Sequence, residues 1–63
     1  MDFKEKDIEN LKVVMIKKYG KTNFNQLAKE LGFSRRSVYN AINNKPYCEN
    51  VKQALKTWLL ENI

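Results

Sequence analysis

The sequence predicts an all-α fold, a compact four-helix domain, and three observations carry that prediction. Apolar residues recur at intervals of three and four throughout the 63 residues, the spacing that lines up side chains on one face of an α-helix. Gly20, Gly32 and Pro46 are the only glycines and proline, and they cut the chain into pieces of helix length. The alternation of apolar and polar residues that marks a half-buried strand is absent, and the β-branched Val14, Val38, Ile42 and Val51 fall on helical stripes instead.

The first helix is expected over about residues 3–19, where Ile8, Leu11, Met15 and Tyr19 form a buried stripe flanked by Val14 and Ile16. Lys17 and Lys18 suit the negative end of its dipole, and Gly20 can stop it in a left-handed conformation. Asn23 is the expected cap of the second helix, with Gln26 three residues on to reach back to it. That helix carries Phe24, Leu27, Ala28 and Leu31 and ends at Gly32. After Phe33, Ser34 caps a third helix with Val38, Ala41 and Ile42 inward, closed at Asn43-Asn44 because asparagine tolerates the left-handed state. Pro46 is expected to open the fourth, running to about Glu61 with Tyr47, Val51, Ala54, Leu55 and Trp58 on one face.

A chain of this size is one domain, residues 1–63, and buries too little surface to build a deep pocket beside a stable core, so its function is expected on the surface. No apolar run is long enough to span a bilayer, and the acidic start is unlike a cationic signal peptide, which together lead to the expectation of a cytoplasmic protein, away from the membrane. The single cysteine, Cys48, has no partner for an internal disulfide, and without histidine a zinc site lacks ligands. Cys48 reads as a small, half-buried apolar residue. Neither a cofactor nor a small-molecule substrate is expected, and enzymatic activity is disfavoured: there is no histidine, no carboxylate pair in an apolar setting and no nucleophile with a base.

The net charge is +5, and its placement says more than its sum. Residues 1–10 carry a net −2, residues 46–63 balance, and residues 11–45 carry +7 with Glu30 as their only acid. A basic excess confined to the middle of the chain is the electrostatic footprint that a polyphosphate partner favours.

That middle contains Asn25 to Ile42, a helix, a tight turn and a second helix, and its spacing has physical reasons. Two helices crossing near a right angle approach closely, and Ala28 supplies the small side chain. Gly32 takes the turn free of Cβ strain, Phe33 fills the angle, and Val38 packs back on Leu27 and Leu31. Left outward on the second helix are Arg35, Arg36, Tyr39 and Asn40, with Asn43 one turn further.

Ala28-Lys29-Glu30-Leu31-Gly32 followed by an apolar residue, then Val38 and the small-large pair Ala41-Ile42, resembles the helix-turn-helix of the lambda-repressor-like and Cro-like family of phage repressors, over about residues 22–45. Beyond that segment the chain departs from a Cro-like pattern, with an amphipathic helix where strands would follow. The resemblance implies double-stranded DNA as partner, with the stretch from Ser34 to Asn43 in the major groove. Arg35 and Arg36 would pair with guanine edges, Asn40 with adenine, and Tyr39 would touch a thymine methyl or a phosphate. Asn23, Gln26, Ser34, Ser37, Asn43 and Lys45 would hold the phosphate backbone, with the free N–H groups that open the second helix. The implied role is a sequence-specific transcriptional regulator, a repressor of phage or mobile-element type. The alternative on the same fold is a helical protein-interaction module, such as an antirepressor, that does not bind DNA.

Val13 points away from the first stripe, and Leu59, Leu60 and Ile63 spread beyond the last one, which makes these residues candidates for a homodimer contact. The competing expectation is a frayed last turn and a half-covered Val13. A twofold dimer would set its recognition helices about 34 Å apart on an inverted repeat.

Overall fold

A computed structural model describes residues 2–62 and shows four helices and no strand among them. They are α1 (Glu5–Tyr19), α2 (Phe24–Leu31), α3 (Arg35–Ile42) and α4 (Glu49–Asn62). Ile63, named above for a subunit contact, lies outside the described residues.

Local chemistry accounts for most of the boundaries. Helix α1 begins after Lys4, whose backbone N–H donates to Asp7 Oδ2 at 3.1 Å, and it stops at Gly20, at φ 83°, whose N–H returns to the Ile16 carbonyl. Asn23 Oδ1 accepts from the Gln26 backbone N–H at 3.1 Å, capping α2. The cap is that one bond; among the described residues the Gln26 amide makes no return bond to Asn23. At the other end Gly32, at φ 81°, and Phe33 send their N–H groups back to Lys29 and Ala28, the paired bonds of a Schellman stop. Ser34 Oγ accepts from the Ser37 N–H and starts α3 two residues later. The end of α3 repeats the stop without glycine: Asn44 stands at φ 61°, and the N–H groups of Asn44 and Lys45 return to Ala41 and Asn40.

Two boundaries differ from the sequence expectation. Phe3 precedes α1 rather than opening it; it is buried, with its N–H donating to Asn44 Oδ1 at 2.6 Å and its carbonyl accepting from Asn44 Nδ2 at 2.9 Å. Pro46 does not open α4. It is the second residue of a turn closed by the Cys48 N–H on the Lys45 carbonyl, a position its fixed φ suits as well as a first helical turn. Helix α4 therefore starts three residues later, Tyr47 is 73% exposed instead of sharing the inner face, and Cys48 is buried rather than half-buried.

The core joins Leu11, Val14 and Met15 of α1, Leu27 and Ala28 of α2, Val38, Ala41 and Ile42 of α3, and Val51, Leu55, Trp58 and Leu59 of α4. Leu59, expected at a subunit contact, is only 7% exposed. It joins the buried core, so α4 covers a wider face than its expected stripe. Helix α4 also lies along α1 in the same direction, since Lys56 meets Asp7 and Asn62 meets Lys18. Among the described residues no helix is long and apolar enough to cross a membrane.

One polar cluster ties three helices together. Glu30 of α2 accepts from Tyr19 Oη at 2.6 Å, Trp58 Nε1 at 2.6 Å and Lys18 Nζ at 3.0 Å. The hydrogen bond from Tyr19, with smaller help from Lys18 and Trp58, holds the Glu30 carboxyl below the usual carboxylate range against the opposing effect of burial. Burial first, and then Glu30 itself, push the Tyr19 phenol well above its ordinary value.

Candidate nucleic-acid interface

Helix α3 is held from behind and open in front. Val38, Ala41 and Ile42 are buried, with Phe33 half-buried in the turn before them, so the opposite side of the helix faces solvent. Arg35 and Arg36, its first two residues, are both exposed, and neither is in an ion pair among the described residues. Glu30, the one acid between Leu11 and Pro46, is engaged with Tyr19, Trp58 and Lys18 and leaves their charge unopposed.

The two arginines are not equivalent. The Arg35 guanidinium lies 5.5 Å from the centre of the Tyr39 ring, and that ring packs at 5.1 Å against Phe24 of α2. Phe24 is half-buried against the core, so the stack runs from the core through Tyr39 to Arg35 and restrains the arginine fork. Arg36 is exposed and has no such aromatic support among the described residues.

An open cleft of about 400 Å³ adjoins this stack, lined by Lys12, Thr22, Asn23, Phe24, Asn25, Arg35 and Tyr39. It brings together the end of the α1–α2 connection, the N-terminus of α2 and the first turns of α3. Of the residues named from the sequence, Asn23, Arg35 and Tyr39 meet here. Lys12, Thr22 and Asn25 were missed; Lys12 carried only the signal of belonging to the basic middle of the chain, and nothing local shows that α1 passes beside the start of α2.

The remaining candidates fall into two groups. Gln26 and Lys45 are exposed, with side chains that engage no partner among the described residues, whereas Asn40 is half-buried. Ser34, Ser37 and Asn43 already serve the helix: the two hydroxyls bond each other at 3.0 Å, and Asn43 Nδ2 donates to the Tyr39 carbonyl at 2.9 Å. No group of three or more metal-ligating side chains occurs among the described residues.

The fold and this surface define a class by physical character: a small all-α domain presenting two unpaired guanidinium groups at the start of an exposed helix, beside a polar cationic cleft. Comparison with models of protein families finds no match, and comparisons with curated proteins and with solved structures find none either.

Proposed function

We propose that this chain is a sequence-specific DNA-binding regulator of transcription, cytoplasmic and of phage or mobile-element type, that acts by occupying its operator. The observation that carries the reading is the pair Arg35 and Arg36, exposed and free of acidic partners at the first turn of a helix whose back is locked into the core. Such a helix fits the major groove, where a guanidinium fork pairs with the O6 and N7 of guanine.

In this reading Arg35 and Arg36 read base edges, and Asn40 reads an adenine with the exposed part of its amide. Tyr39 acts chiefly through Arg35, since its ring is packed between Phe24 and the guanidinium. Phosphates are held by Lys12, Thr22, Asn23 and Asn25 at the cleft, by Gln26 and Lys45, and by the outer lone pairs and protons of Ser34, Ser37 and Asn43. A concentration of positive charge without nearby acids gains most from a partner that releases condensed counterions on binding.

The test is selection of binding sites from random duplexes, followed by titration of the variants Arg35→Ala and Arg36→Ala. Each is expected to lose about 1–3 kcal/mol on the selected site and little on unrelated DNA, with unchanged far-UV circular dichroism. Binding that is indifferent to both substitutions would end the assignment of α3 to the groove.

A further inference from the structure

The side of α1 opposite the core carries two exposed apolar residues among its charges. Val13 and Ile16 are 49% and 51% exposed, and Leu60, in the last turns of α4, is 76% exposed. A groove of about 190 Å³, lined by Asn10, Val13, Val14, Lys17 and Asn62, runs between α1 and the end of α4. Single exposed apolar residues are ordinary, but Val13 both stands half-exposed and lines this groove, with the exposed Ile16 one turn along the same helix, and on so small a molecule that pairing marks a contact surface.

The charges around Val13 identify what fits there. Glu9 stands four residues before it and Lys17 four after, both exposed and outside any ion pair among the described residues. Laid antiparallel on a second α1 with Val13 at the twofold axis, Glu9 of each copy falls opposite Lys17 of the other. A parallel arrangement would set like charge against like. We infer that this face binds a second copy of the chain, through an antiparallel pair of α1 helices centred on Val13 with Glu9 and Lys17 paired across the axis.

Helix geometry then sets where the rest of the molecule points. Successive residues are turned by about 100°, so with Val13 facing the second copy, Lys12 projects at about a right angle to the contact, along the twofold axis. That axis sends Lys12, and the cleft it lines, to the same side in both copies. Two half-sites on one face of a duplex need that disposition. Only this last step rests on the DNA-binding reading; the α1 contact stands without it. A single helix face is a small interface, below about 1,200 Å², so the dimer is reversible and concentration-dependent.

Sedimentation of the full chain without DNA tests the contact. The average mass should climb from one chain toward two with concentration, and Val13→Asp should hold it at one chain with its circular dichroism unchanged. Glu9→Lys and Lys17→Glu should each weaken association about tenfold or more, and mixing the two variants should restore it, because every acid in the mixed pair then faces a base. A chain that stays monomeric throughout leaves the face to some other protein and overturns the inference. Association indifferent to the charge reversals, or not restored on mixing, overturns it equally. Since the double variant Arg35→Ala, Arg36→Ala should still self-associate, failure of DNA binding and failure of the dimer are separately visible.

Discussion

Arg35 and Tyr39 stand one helical turn apart, and the ring that separates the arginine from Phe24 determines how much of its freedom remains to be lost on binding. A guanidinium over an exposed aromatic face gains about 0.5–1 kcal/mol, enough to bias its rotamer without burying its donors. Tyr39→Phe should therefore bind the selected duplex nearly as the parent does, while Tyr39→Ala should bind a few-fold more weakly; anisotropy titration on a labelled duplex separates them. Equal losses would mean that the hydroxyl makes the contact itself and that positioning of Arg35 is not the role of the ring. The two arginines were legible in the sequence because they directly follow a cap, a purely local relation. The stack was not, because Phe24 belongs to another helix and its distance to Tyr39 depends on how α2 and α3 cross.

At the level of the elements, each helix of the pair α2 and α3 is started by a side-chain cap and ended by a left-handed residue, and the second ending shows why asparagine stands where glycine would suffice. Asn44 at φ 61° completes the stop of α3, and its amide exchanges two hydrogen bonds with the backbone of Phe3. Glycine would keep the first role and lose the second; alanine would lose both. Asn44→Gly should cost about 1–3 kcal/mol for the two bonds, and Asn44→Ala a further 1 kcal/mol or so for the left-handed backbone, measured by chemical denaturation. Variants of equal stability would show that the tie to Phe3 contributes alone. Caps and stops of this kind could be read from Asn23, Gly32, Ser34 and the Asn43-Asn44 pair, since each acts within a few residues of chain. The start of α4 could not, because a proline fits both the second position of a turn and the first turn of a helix.

The molecule as a whole is closed by polar ties that the apolar pattern does not reveal. Lys52, almost fully buried, places its ammonium 3.2 Å from Asp2 and 3.7 Å from Glu49, and Lys56 lies over the Phe3 ring, so the N-terminal segment is strapped across α4. On the far side Glu30 joins α1, α2 and α4. Its carboxyl is held below its ordinary value of 4.5, so the stability it contributes is complete above about pH 4.5 and is lost as the pH falls through the folded-state value. Tyr19 is raised above its ordinary value of 10.0, so its contribution is complete below pH 10 and is lost as the pH rises through the folded-state value, the unfolded chain ionising first. Glu30→Gln should lower stability at neutral pH by about 1.5–3 kcal/mol, the worth of hydrogen bonds to a charged acceptor, and flatten the acid limb of the stability profile. The alkaline limb should remain, because burial is the larger cause of the Tyr19 shift. An acid limb identical in the variant would show that Glu30 is not the group responsible.

From the residues alone came the all-α class, the caps of α2 and α3, the stops and the outward turn of Arg35, Arg36, Tyr39 and Asn43, for a physical reason: helix periodicity and capping depend on neighbours within a turn or two. Decided only by the tertiary fold were the inward turn of Leu59, the outward turn of Tyr47, the arrival of Lys12 at the cleft and the ties from Asn44 to Phe3 and from Glu30 to Trp58. Each of these depends on which helix lies beside which, and at what angle. That choice is made by the packing of a shared core across tens of residues, and no short window of sequence contains it.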